Sequence, residues 1–180
     1  MRTLDRVRPR RTPRSASMAI NQALLAEWDH EMAGTRKVLA SIPDGKFDWA
    51  PHAKSFTAGK LGTHVATMGM WAHLTCTEES FDLAGSPKAP ESRSTAELLR
   101  YHDEWAAKGR AAIAATDDAA MMQPWSLRMG DHVIFTLPRV AVLRSFVFSH
   151  MIHHRGQLTV YLRLLDVPVP GLFGPSADEK

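Results

Sequence analysis

Apolar residues recur at helical spacing in four separate stretches of the chain, with polar residues between them. The predicted helices cover approximately residues 18–41, 57–80, 95–116 and 138–166. Pro43-Asp44-Gly45 ends the first helix, and Ser94-Thr95-Ala96-Glu97 has the form of a capping box that opens the third. Pro168 and Pro170 prevent the fourth helix from continuing. We therefore predict an all-α fold, a four-helix bundle.

The interval between the third and fourth predicted helices lacks a helical period. Trp125–Met129 and His132–Phe135 are rich in apolar residues and flank Gly130-Asp131, which favours a tight turn. This pattern predicts a short two-stranded β-hairpin before the last helix. Because two strands alone are only marginally stable, the hairpin must pack against the helices. Residues 82–94, which contain Gly85 and two prolines, predict a loop.

His150 and His154 are four residues apart, so they lie one turn apart on the same face of the last predicted helix. Apolar residues extend this face in both directions: Leu143, Phe146, Val147, Leu158, Tyr161 and Leu165. The pair is therefore predicted to face the apolar interior. Burying two imidazoles without partners is costly because each ring has two nitrogens to satisfy. A divalent metal ion bound by both rings would remove that cost.

His64 takes an inward position on the second predicted helix, on the same stripe as Leu61 and Trp71. Bundles place metal sites between inward side chains of facing helices, so His64, His150 and His154 could meet at one point. Three imidazoles leave positions on the ion for water or substrate, which is typical of a catalytic or ligand-binding site. A hydrogen-bonded core histidine is the alternative at position 64.

His102 lies on the inward stripe of the third predicted helix. It is either a fourth ligand or a residue hydrogen-bonded near the edge of the bundle, where Asp103 is its neighbour. The sequence leaves both interpretations open.

The composition is that of an ordinary globular protein, with 180 residues, 44% hydrophobic and 23% charged. Its length suits one domain, and no apolar run approaches the roughly 20 residues that a membrane span requires. Cys76 is the single cysteine, which excludes an internal disulfide and any metal site built from several thiolates. A cytoplasmic location is the expectation from this cysteine usage.

The positive charge is concentrated at the N-terminus. Residues 1–17 contain six arginines and one aspartate, a charge of +5, and since the whole chain carries +3 the remainder carries −2. We therefore expect a basic, disordered tail of residues 1–17 and a folded domain of residues 18–180 that has no electrostatic reason to bind nucleic acid. The alternatives for the tail are a basic arm for an acidic partner, or a start of translation at Met18.

Several motifs carry a resemblance to a known family. They are Asp48-Trp49-x-Pro51-His52-x-Lys54-Ser55, Leu61-Gly62-Thr63-His64, His150-x-x-His153-His154-Arg155-Gly156-Gln157-Leu158, and the segment from Tyr161 to Asp178. From about residue 20 onward the chain resembles the DinB/YfiT-like superfamily of bacterial damage-inducible and metal-dependent proteins. The resemblance implies a four-helix bundle, commonly dimeric, in which His64, His150 and His154 hold one divalent ion. Zinc or nickel is the ion most often implied, with manganese, iron or cobalt as alternatives.

The leading functional hypothesis is a metal-dependent thiol S-transferase or hydrolase, because relatives in the superfamily include both. A bound ion would lower the pKa of a thiol or of water, and the partner would be a small-molecule substrate or a low-molecular-weight thiol. Arg155 would bind an anionic substrate group or form a structural ion pair, and Gln157 would contact a ligand histidine or end a turn. A non-catalytic metal-binding protein of the stress response, and a structural bundle with incidental histidines, are the alternatives.

Large aromatic side chains in the first helix and the following connector suggest an assembly. Trp28, Trp49 and Phe56 carry more apolar surface than one small bundle readily hides. A homodimer would bury this surface across a symmetric interface.

Overall fold

A computed structural model describes residues 18–86 and 91–179 of the chain. In chain order its elements are α1 (Ile20–Ala40), a 3₁₀ turn (Asp44–Lys46), α2 (Ala58–Ala66), α3 (Gly69–Thr77), β1 (Ser80–Asp82), α4 (Thr95–Ala115), α5 (Asp118–Met121), β2 (Pro124–Met129), β3 (His132–Pro138), α6 (Arg139–Ala141), a π-helical segment (Val142–Phe148) and α7 (Ser149–Leu164). The expectation for the tail of residues 1–17 lies outside the described residues, as do positions 87–90 of the predicted loop.

The predicted four-helix bundle is confirmed. Within the described residues the four rods are α1, α2 with α3, α4, and the continuous stretch from α6 to α7. One apolar cluster contains Leu39, Leu61, Leu98 and Leu158, so all four rods contribute to it. A second cluster likewise draws on all four: Trp28, Met68, Ile113 and Phe148 are among its members. Each such side chain stabilises the fold by about 1.5–3 kcal/mol when fully buried.

The second predicted helix is interrupted, which is a correction to the sequence analysis. Thr67 and Met68 form a turn between α2 and α3. The Thr67 hydroxyl donates to the carbonyls of Thr63, at 3.0 Å, and His64, at 3.2 Å, and so bonds directly to the helix backbone. Just beyond the turn, Gly69 lies against α4, where an added Cβ would stand 2.6 Å from the carbonyl oxygen of Trp105. Only glycine permits this close approach of two helices.

The predicted hairpin is confirmed, and a third strand accompanies it in the described part of the chain. β2 and β3 pair antiparallel, while β1 pairs parallel with β2 and places Phe81 opposite Leu127. Residues 80–82 were expected at the end of a helix and the start of a loop, so β1 is a correction. Trp125 and Leu127 of β2 are buried against Val142 of the last rod. The sheet therefore packs against α3 and the last rod.

The last rod departs from a regular α-helix just before the histidine pair. Residues 142–148 adopt π-helical hydrogen bonding, where the sequence predicted an uninterrupted α-helix. The hydroxyl of Ser149 donates to the carbonyl of Arg144, five residues earlier, at 2.9 Å. Single π-helical turns inside α-helices often occur at functional sites, and this one ends immediately before His150.

Most of the aromatic surface that suggested a homodimer is buried within the single chain. Trp28 is 1% exposed and packs edge to face on Phe148. Trp49 is half-buried against Tyr161, so Phe56 alone of the three named side chains is exposed. A homodimer stays a prediction without this support. None of the helices in the described ranges combines the length and apolarity that crossing a bilayer demands.

Two helical glycines allow a matched test of the close helix crossing. Gly69→Ala should lower the free energy of unfolding by about 1–3 kcal/mol, because its methyl group would overlap the Trp105 backbone. Gly156→Ala should raise it by about 0.5–1 kcal/mol, because no atom lies within 4 Å of the added Cβ and alanine is the better helix former. Urea unfolding of metal-free protein, followed by circular dichroism, measures both. Equal effects of the two substitutions would contradict the close crossing.

Candidate metal centre

The structure brings together the three histidines that the sequence singled out. His64 comes from α2, and His150 and His154 come from successive turns of α7. Their ligand nitrogens all lie within 4.8 Å of one another, and all three rings are half-buried. Ring centroids are separated by 4.7 Å to 5.0 Å. The convergence of two helix faces is thus a feature of the fold, while binding of an ion stays a prediction.

The spacing of the nitrogens fits a metal ion. Nε2 of His64 lies 3.3 Å from Nε2 of His150. Two nitrogens at about 2.0–2.1 Å from a tetrahedral ion would themselves be about 3.3 Å apart. Among the described residues the group contains no carboxylate or thiolate, and a purely imidazole donor set suits zinc, nickel, iron and copper.

Gln157 orients His154. Nδ1 of His154 lies 2.7 Å from Oε1 of Gln157, one turn further along α7. In this arrangement Nδ1 donates its hydrogen to the amide oxygen, and Nε2 keeps the lone pair that a metal ion requires. The interpretation of Gln157 as a contact of a ligand histidine therefore agrees with the structure.

The environment keeps His64 and His150 in the form that binds metal. Burial, followed by the influence of His154 and His150, lowers the pKa of His64 to about 4. Burial also lowers the pKa of His150, and the neighbouring His154 and His153 act in the same direction. Both rings are therefore neutral near pH 7, and a neutral imidazole has a free lone pair.

Arg155 is part of the scaffold behind the site. Its Nη2 lies 2.6 Å from Oε2 of Glu31, and its Nη1 donates to the Glu31 carbonyl at 3.0 Å and to the Thr35 hydroxyl at 3.3 Å. The Arg155 and Glu31 side chains are only 2% and 5% exposed. The structural ion pair is thus the interpretation that holds, and a role for Arg155 in binding an anionic substrate is wrong because its guanidinium is already enclosed.

His102 does not belong to the three-histidine group. Its Nδ1 lies 3.1 Å from Oδ1 of Asp103, whose carboxylate also accepts two hydrogen bonds from Arg36. The ring is buried, and burial lowers its pKa. The structure therefore supports the hydrogen-bonding interpretation of this residue rather than that of a fourth ligand.

Comparison with known proteins identifies the family. The model of the DinB family matches residues 16–179. The chain belongs to the DinB family. The protein YrdA of Bacillus subtilis strain 168 is 26% identical over 156 residues, covering 86% of this chain and 89% of YrdA.

Solved structures show the same DinB fold. A DinB-like protein from Bacillus cereus ATCC 10987 superimposes with a TM-score of 0.67 at 20% identity, covering 84% of this chain and 97% of that one. YfiT from Bacillus subtilis superimposes with a TM-score of 0.62 at 16% identity, covering 89% and 94%. YfiT is described as a probable metal-dependent hydrolase with an unusual four-helix bundle topology. At these identities the likeness establishes the fold.

Aromatic rings lie beside the histidines of this DinB-family site, a feature that the sequence pattern did not predict as part of the site. The ring of Phe146 lies 5.5 Å from that of His150, and the ring of Trp71 lies 5.1 Å from that of Phe146. The sequence places Phe146 on the stripe of His150 and Trp71 on the stripe of His64, but only as apolar packing residues. The spacing of four between Phe146 and His150, equal to that between His150 and His154, was the signal that could have shown it.

The lowered pKa of His64 predicts how the stability of the metal-free DinB domain depends on pH. The unfolded chain binds a proton at this residue below about pH 6.5, whereas the folded chain does so only near pH 4. The free energy of unfolding should therefore fall as the pH decreases through this interval. Urea unfolding of the wild type and His64→Gln at several pH values measures the contribution. Identical pH dependence of the two proteins would contradict the lowered pKa.

Proposed function

We propose that this chain is a metal-dependent enzyme in which His64, His150 and His154 hold one divalent ion. The observation that carries the proposal is the convergence of three imidazoles from two helices within 4.8 Å. Zinc or nickel is the first choice, with manganese, iron or cobalt as alternatives. The description of YfiT as a probable metal-dependent hydrolase supports the metal dependence.

The reaction that this donor set serves best is activation of a thiol or of water, as in a thiol S-transferase or a hydrolase. A divalent ion held by neutral imidazoles lowers the pKa of a thiol or water molecule that binds it. His64 and His150 supply uncharged donors because burial lowers the pKa of each. Gln157 holds the ring of His154 in one orientation. The half-buried rings leave the site accessible to a small-molecule substrate.

A purely structural role for the ion is disfavoured by the packing of the bundle. Two apolar clusters already join all four helical rods of the described chain. Structural zinc sites are usually closed by four protein ligands, whereas this group offers three. The remaining positions are the ones that a thiol or water would use.

Metal content gives the first test. Protein purified without an affinity tag should contain about one equivalent of divalent metal, and His64→Ala should lose it while retaining its helix content, because the apolar clusters remain. His153→Ala is the matched control: His153 is exposed, adjoins His154 in sequence, and is absent from the group. Elemental analysis and circular dichroism measure the two quantities. Retention of one equivalent by His64→Ala would show that the three-histidine assignment is wrong.

Access of a thiol to the site gives the second test. With cobalt in place of the native ion, a small thiol should produce a sulfur-to-metal charge-transfer band, because three protein ligands leave positions open. Glutathione, bacillithiol and mycothiol are each tested by absorbance titration. His102→Ala should leave both the band and the metal content unchanged.

The outcomes of this titration separate the reaction classes. A thiol that enters only after His102 is removed would mean a closed site. If the site admits no thiol but still exchanges water, the S-transferase activity is excluded and the hydrolase activity remains as the proposal.

A further inference from the structure

Four aromatic side chains form a connected group beside the three histidines, which we call the aromatic wall. Its members come from α3, β1, β3 and the π-helical segment: Trp71, Phe81, Phe135 and Phe146. The ring of Trp71 lies 5.3 Å from that of Phe81 and 5.1 Å from that of Phe146. The rings of Phe135 and Phe146 are 5.4 Å apart. Sheet and bundle thus meet through these four rings.

The aromatic wall begins one ring away from the candidate metal centre. The centroids of Phe146 and His150 are 5.5 Å apart. A molecule with a polar group at the three histidines would therefore extend naturally along Phe146 and Trp71. Phe146 precedes His150 along the last rod, whereas Arg155 and Gln157 follow it.

The side chains of the aromatic wall are more exposed to solvent than the core residues beneath them. Trp125, Leu127 and Val142 are between 0% and 3% exposed, and they already bind the sheet to the helices. All four wall residues, by contrast, are only half-buried. The contacts of Trp71 with Phe81 and Phe146 have interplanar angles of 81° and 86°. In such edge-to-face contacts one ring presents its edge and keeps its faces for another partner.

We propose that the aromatic wall binds the apolar part of the substrate, preferably an aromatic or branched hydrocarbon group, while the reacting polar group lies at the three histidines. This inference rests on the proposed function and adds a substrate class to it. Ring faces and ring edges favour an uncharged apolar group, because burial of such a group against them removes hydrocarbon from water. A small, fully polar substrate would leave the wall unused.

Two ligands that differ only by a phenyl group test this inference. Imidazole and 4-phenylimidazole are titrated by calorimetry into zinc-loaded protein. The phenyl compound should bind at least about tenfold more tightly, since burying a phenyl group removes a large apolar area from water. Trp71→Leu and Phe135→Leu should reduce this ratio toward one and leave the affinity for imidazole nearly unchanged.

The control for these variants is another half-buried aromatic residue. Trp49 packs edge to face on Tyr161 and belongs to the other apolar cluster. Trp49→Leu should therefore retain the full ratio. Loss of the ratio in Trp49→Leu as well would mean a general loss of structure, and would overturn the assignment to the wall.

A second measurement needs neither the metal nor a leucine variant. Benzyl alcohol added to metal-free wild-type protein should shift the indole N–H resonance of Trp71, identified by its absence in Trp71→Phe, and leave that of Trp49 in place. No shift, together with equal affinities for the two imidazoles, would overturn the inference while the metal site stands. A shift of the Trp71 resonance in a protein that takes up no zinc would support the wall and refute the proposed metal function.

Discussion

The buried ion pair between Arg155 and Glu31 determines which way α7 faces, and the candidate site depends on that orientation. Both charges are almost fully enclosed, so removing either partner would leave an uncompensated charge at a cost of about 3–5 kcal/mol. Successive residues of a helix are rotated by about 100°. With Arg155 directed at α1, His154 is directed at His64 and His153 at solvent. Three consecutive residues thus have three different environments.

The parts that the sequence predicts well are those set by local periodicity. The four rods follow from apolar spacing, and the hairpin follows from two apolar runs around Gly130-Asp131. The convergence of the three histidines was also predictable, because each occupies an inward position on an apolar stripe and inward positions of facing helices meet in a bundle. Predicting these features does not require knowing which particular side chains are in contact.

The parts that could not be predicted depend on contacts between distant segments. Strand β1 has only three residues, too few for their polar-apolar-polar alternation to identify a strand, and it forms because β2 supplies its hydrogen-bonding partners. The break at Thr67-Met68 lies within an intact apolar stripe, so periodicity gave no sign of it. Trp28 was assigned to an interface because its burial against Phe148 becomes visible only when α1 and the last rod are packed together. The approach of Phe135 to the site likewise requires the docked sheet.

The close crossing of α3 and α4 also limits how this sequence can diverge. Gly69 meets the backbone of Trp105, and a Cβ at Gly109 would lie 2.7 Å from the ring of Trp28 and 3.0 Å from the carbonyl oxygen of Gly69. A larger residue at Gly69 would require the two helix backbones to separate, and one at Gly109 would require both the Trp28 ring and the Gly69 carbonyl to move. The two glycines contribute to the same helix contact, one from each helix. Both positions should therefore accept substitutions less often in evolution than the exposed residues around them.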